Sequence, residues 1–120
     1  MQYLSELEST INDMVSKGRG ILAADESTGT IAKRFKSIDV EASEENRRIW
    51  RSLLVSTEGL GEYISAIILF EETLNQKIDS GDLIQQAAWA QKIVPGIKVD
   101  KGTTALALSP GDLITQGLDG

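Results

Sequence analysis

The sequence has no cysteine and no histidine among its 120 residues. The first absence excludes disulfides and thiolate chemistry. The second removes the side chain that most often serves as a general base near neutral pH, and also the commonest metal ligand. Any catalysis must therefore use carboxylates, lysines or hydroxyls, and no metal site is expected. No apolar run approaches the roughly 20 residues that span a bilayer. The acidic start, Met1-Gln2-Tyr3-Leu4-Ser5-Glu6, has no signal-peptide pattern. No membrane partner is expected, and the cytoplasm is the expected location. Positive charge is also short. A net charge of −6 argues against a general nucleic-acid binder, which needs a basic footprint.

What is present reads as one ordinary soluble domain, with 41% apolar and 25% charged residues. The charge is unevenly placed. Six of the twelve basic residues fall between Lys33 and Arg51: Lys33, Arg34, Lys36, Arg47, Arg48 and Arg51. A local positive field in an acidic protein attracts small anions, but for most of these charges solvated helix faces are the favoured reading.

The stretch Gly20–Arg34 carries the densest signal. Ile21-Leu22-Ala23-Ala24 is a short apolar run bounded by turn residues, the pattern of a strand buried on both faces. Asp25 and Glu26 arrive where that strand should end. Ser27, Thr28 and Thr30 surround Gly29, and Ile31–Lys36 has helical character, with Thr30 as the expected cap. A helix start offers free N–H groups and a positive dipole end, and Arg34 adds a planar fork of donors. Together they suit a phosphate. A capped, solvated turn is the plainer reading.

The rest of the chain alternates in the same way. Residues 3–16 read as an amphipathic packing helix. Ser43 caps a helix with Ile49, Trp50, Leu53 and Leu54 as its apolar stripe and Arg47, Arg48 and Arg51 on its other faces. Thr57–Glu62 reads as a turn and Ile64–Leu69 as a second buried strand. Leu74–Gly81 reads as a short helix or turn. Asp82 is the expected cap of a further helix, whose Trp89 should pack against a neighbour. Ile93–Gly102 reads as a third strand and Thr103–Asp112 as a loop. Lys98 lies inside an apolar run beside Ile97 and Val99. A buried ammonium needs a partner, which favours a functional role, and Asp25 is the expected partner. Two motif matches fail. Gly18-Arg19-Gly20-Ile21-Leu22-Ala23 fits a dinucleotide fingerprint but precedes a strand instead of following one, and Lys101-Gly102-Thr103-Thr104 reverses the P-loop order.

Strand, helix, strand, helix, strand is the rhythm of parallel βα units. Strands apolar on both faces need cover on both sides, which suggests part of a larger sheet.

Five blocks, in order, carry a resemblance: Gly20–Arg34, Glu44–Arg48, Ile68–Leu74, Pro95–Gly102 and Thr115–Gly120. They resemble class I fructose-1,6-bisphosphate aldolase, the metal-independent glycolytic enzyme. The resemblance covers essentially the whole chain but only about the first third of the family's. It implies an α/β fold, the TIM (β/α)8 barrel. Residues 1–120 would form the N-terminal part of that single domain, with a leading helix and the first three βα units. It implies reversible Schiff-base cleavage of fructose 1,6-bisphosphate to dihydroxyacetone phosphate and glyceraldehyde 3-phosphate, without a cofactor. A sugar bisphosphate would be the partner and a homotetramer the common assembly. Asp25 and Lys98 match catalytic positions in the family's proton network. Ser27, Thr30 and Arg34 match phosphate-binding positions; Thr30 is serine in many relatives, and the hydroxyl is kept. Arg47 lies in the family's Arg-Arg pair and would contact substrate. The family's Schiff-base lysine, catalytic glutamate pair and second phosphate site match nothing before Gly120. The 120-residue chain alone is therefore expected not to turn over substrate. The alternative is a non-catalytic truncated barrel piece that associates through its open strand edge.

Overall fold

The computed structural model describes residues 3–118. Asp119 and Gly120, which close the fifth block of the resemblance, lie outside the described residues. The chain opens with α1 (Leu4–Met14), followed by β1 (Gly20–Ala24), α2 (Thr28–Lys36), α3 (Glu44–Val55) and the single-turn α4 (Leu60–Tyr63). Then come β2 (Ile64–Leu69), a 3₁₀ turn (Glu71–Asn75), α5 (Ile84–Ala90) and β3 (Val94–Ile97). A hairpin of β4 (Thr103–Ala105) and β5 (Leu113–Thr115) ends the described chain.

The three long strands pair in parallel in the order β1-β2-β3. Parallel neighbours need crossover connections. Here α2, α3 and α4 make the first crossover and α5 the second. The register aligns the strand ends: Ala24 pairs with Leu69, and Leu69 with Ile97. The core lies on one face of the sheet. Ala24, Ile67, Leu69 and Ile93 meet Val55 of α3 and Ile84 and Ala88 of α5 there.

Several expectations need correction. Only β2, the central strand, is buried along most of its length. In β1 only Ala24 is fully buried, and Ile21 is 51% exposed. The helices cover one face of the sheet, and β1 and β3 each have a single strand neighbour. The apolar side of α1, Leu7 and Ile11, is likewise exposed.

On α3 only part of the expected stripe turns inward: Leu54 packs against the core and Trp50 is half-buried. Ile49 and Leu53 are exposed, whereas Arg51, Ser52 and Val55 are buried. A buried polar partner set outweighs the apolar pattern there. Ser43 caps α3 as expected, its Oγ accepting the Asn46 N–H at 3.2 Å. Thr30 does not cap α2: Ser27 holds the cap position and Thr30 lies in the first turn. Leu83, not Asp82, precedes α5, and its N–H donates to the Gln86 side chain at 3.3 Å. Asp82 instead accepts a hydrogen bond from Ser80. Trp89 is exposed, not packed. The expected Thr57–Glu62 turn passes into α4, and the expected Thr103–Asp112 loop begins with a strand.

Candidate active site

The aligned strand ends deliver polar residues to one rim of the sheet. Asp25 and Glu26 follow β1, Glu71 and Glu72 follow β2, and Lys98 and Asp100 follow β3. The Lys98 N–H donates to the Leu69 carbonyl at 2.9 Å, so the ladder runs one residue past Ile97. Lys98 is thus the last residue held by the sheet, and its side chain leaves from a fixed point. It is about one-quarter exposed.

Lys98 Nζ lies 4.0 Å from Asp25 Oδ2 and is hydrogen-bonded to Asp100 Oδ2. Asp25 is therefore near, but Asp100 is the closer partner. The reading of the sequence missed Asp100. The signal was available, since residues two apart in an extended segment share a face. The other Asp100 oxygen accepts the Gly102 N–H at 3.1 Å, which orients the carboxylate. The hydrogen bond from Lys98 and that from the Gly102 backbone hold Asp100 below the usual carboxylate range. In return Asp100, and then Asp25, raises Lys98 above its ordinary value. A Schiff-base nucleophile needs a lowered amine pKa. Lys98 is instead held as an ammonium, a fixed positive charge at the rim. An open cleft of ≈ 550 Å³ borders this rim, with Ser27, Phe70, Glu71, Lys98 and Asp100 among its walls. A groove of similar volume, ≈ 580 Å³, lies between α3 and α5, away from the lysine–carboxylate cluster.

The start of α2 forms the second part of the site. Ser27 Oγ and Thr30 Oγ1 stand 3.1 Å apart, and neither Ser27 nor another side chain caps the helix. The first-turn N–H groups keep their capacity to bind an anion. Arg34, one turn further on, is mostly exposed and forms an ion pair with Glu26, whose side chain is 9% exposed. Of the four residues expected to hold phosphate, Ser27 and Thr30 are in contact at the start of α2, while Arg34 is engaged with Glu26.

The fourth, Arg47, is placed differently. Its guanidinium bonds both oxygens of Glu72, with Nε 2.9 Å from Oε2, and donates to the Ala42 carbonyl at 2.6 Å. The hydrogen bond from Arg47 is the main reason Glu72 sits below its ordinary pKa. Beside it Arg51, expected on a solvated face, is fully buried. Burial lowers its pKa and the Glu72 charge opposes that shift. Among the described residues no group of three or more carboxylates converges in the manner of a metal site.

Residues 6–120 match the family described as glycolytic, fructose-bisphosphate aldolase class I. The chain belongs to the class I fructose-bisphosphate aldolase family. A probable fructose-bisphosphate aldolase class 1 of Xanthomonas axonopodis is 52% identical over 117 residues, which are 98% of this chain and 35% of that protein. The cytosolic fructose-bisphosphate aldolase 4 of Arabidopsis thaliana is 60% identical over 103 residues, 86% of this chain and 26% of that protein. The solved aldolase of Plasmodium falciparum, in a ternary complex with TRAP and a small-molecule inhibitor, superposes with a TM-score of 0.90 at 50% identity. That match covers 97% of this chain and 33% of the solved one. The chain thus spans about a third of the length of such relatives. The three parallel strands are part of the aldolase (β/α)8 barrel, and the polar rim lies at the C-terminal strand ends, where barrel enzymes carry their sites.

Proposed function

We propose that the protein acts as a glycolytic class I fructose-bisphosphate aldolase. It would cleave fructose 1,6-bisphosphate reversibly to dihydroxyacetone phosphate and glyceraldehyde 3-phosphate through a Schiff base. One observation carries this reading beyond family membership: the Lys98 ammonium stands between Asp25 and Asp100 at the aligned strand ends. A charged lysine between two carboxylates can steady an alkoxide and pass a proton. It is a poor nucleophile in that state, and following the family resemblance none of the first 120 residues is proposed as the Schiff-base lysine.

Asp25 and Lys98 are the proposed catalytic residues of this segment. Ser27, Thr30 and Arg34 would bind one substrate phosphate, with the free N–H groups of α2 beneath it. Arg34 would exchange Glu26 for the phosphate. Arg47 would reach substrate only by leaving Glu72. A homotetramer is the proposed assembly, following the family resemblance. A cytosolic location is proposed too, in line with the name of the Arabidopsis relative; no described helix is long and apolar enough to cross a membrane.

The test is a cleavage assay of the natural gene product with fructose 1,6-bisphosphate. Activity should persist in EDTA. Borohydride added with dihydroxyacetone phosphate should inactivate the enzyme irreversibly by reducing the iminium. Loss of activity to the chelator, or indifference to borohydride, would overturn the reading.

A further inference from the structure

Arg51 lies on α3, behind the sheet, and is 0% exposed. Its guanidinium makes three separate kinds of contact. Nε donates to the Ala24 carbonyl at 3.3 Å, and Nη2 to the Glu26 carbonyl at 2.8 Å. Nη1 donates to Glu72 Oε2 at 3.1 Å. The group also lies 5.5 Å from the centroid of the Phe70 ring. The two carbonyls belong to the residues on either side of Asp25. We propose that Arg51 is a positioning residue, clamping the peptide on both sides of Asp25 and so setting where the Asp25 carboxylate stands relative to Lys98.

The physical case rests on what the alternatives would cost. Beyond Ala24 the β1 backbone turns away from the ladder, and its carbonyls need donors. A guanidinium presents several N–H groups in one rigid plane and can serve two carbonyls and a carboxylate together. Lysine, with one nitrogen, cannot span them. A buried cation is an inefficient way to gain stability, since hydrophobic replacements of buried ion pairs are often neutral or better. Its geometry is what a hydrophobic residue could not reproduce. Glu72 completes the device. It neutralises Arg51, is itself held by Arg47, and lies in the 3₁₀ turn that follows β2. The ends of β1 and β2 are thereby locked to α3 through one charged group.

The effect on turnover rests on the proposed aldolase activity; the clamp itself does not. The experiment is Arg51→Lys in the full-length protein, with kcat and KM for fructose 1,6-bisphosphate and thermal unfolding measured together. We expect kcat to fall about tenfold to a hundredfold with KM within about twofold, as for small misplacement of a reacting group. The folded fraction at the assay temperature should not change. An unaltered kcat, or a loss that only tracks the folded fraction, would overturn the proposal. If the lysine variant does not fold, Glu72→Gln releases Arg51 more gently and is read by the same criteria. If the wild-type protein shows no cleavage, the functional reading fails separately. The crystal structure of Arg51→Lys then decides the clamp. Asp25 moved away from Lys98 supports it, and Asp25 still 4.0 Å away, as in the wild type, overturns it.

Discussion

The ammonium of Lys98 stands 4.0 Å from the Asp25 carboxylate, across a full strand, while Asp100, two residues on in the chain, holds it from its own side. Two carboxylates thus share one cation at the open end of the sheet. This arrangement keeps Lys98 charged and keeps Asp25 within reach of whatever Lys98 touches.

Asp25→Asn and Lys98→Ala should therefore lower kcat with little change in KM, because both groups would act on developing charge and protons. Asp100→Asn should act differently. It removes the main cause of the raised Lys98 pKa. If the ammonium is the working form, the alkaline limb of the kcat profile should move to lower pH. A pH–rate profile of each variant in the full-length protein checks this. A profile unmoved by Asp100→Asn would mean that the charge of Lys98 is not required.

Arg34→Ala should chiefly weaken phosphate binding, by roughly 1.5–3 kcal/mol for a charge-assisted hydrogen bond. Glu26→Gln should do the reverse, because it removes the carboxylate now paired with Arg34. Titration with dihydroxyacetone phosphate would show both effects. Weaker binding in both variants would mean that Glu26 orients Arg34 and does not compete for it.

Glu72 makes a prediction about acid stability. Its pKa is depressed in the folded protein, first by the hydrogen bond from Arg47. The unfolded chain then binds the proton more readily. The stabilisation is complete above the ordinary carboxylate range and is lost as pH falls through the folded value. Unfolding midpoints in urea, measured from neutral pH down to about pH 3, should fall less steeply for Glu72→Gln than for the wild type. Parallel curves would show that the Glu72 cluster is not a source of the acid limb.

Gly61 offers a steric test far from the site. A Cβ there would lie 2.0 Å from the Gln91 carbonyl oxygen. Backbone at the end of α5 cannot rotate away as a side chain can. Gly61→Ala should therefore cost at least the 1–3 kcal/mol typical of overpacking, on the order of a marginal domain's reserve. Thermal melts would reveal it. A Tm within a degree of wild type would mean that the α4–α5 approach is easily widened.

Much of the architecture was legible in the chain itself. The apolar runs Ile21–Ala24 and Ile64–Leu69 became strands because β-branched and small apolar residues, closed by glycine or acids, leave few other conformations. Ser43 capped its helix because a hydroxyl there has a local partner. The contact of Ser27 with Thr30 was legible because residues three apart in a first helical turn are neighbours. Asp25 stood out as a charge arriving at the end of an apolar run; Lys98, expected inside a buried one, stands instead one-quarter exposed between exposed Ile97 and Val99.

The remaining features depended on groups distant in sequence. Nothing local in Arg47-Arg48-Ile49-Trp50-Arg51 says which arginine turns inward. That was decided by the Ala24 and Glu26 carbonyls and by Glu72, which only the parallel register of β1 and β2 brings under α3. Cover for the strand faces was also a tertiary matter: within these residues α3 and α5 cover one side of the sheet, and the chain spans about a third of its relatives' length. Composition, spacing and strand ends thus determined which charged and hydroxyl groups arrive at the rim of the sheet. The sheet register and the packing of α3 decided which charges meet, because hydrogen-bonding across elements depends on distances that no local pattern encodes.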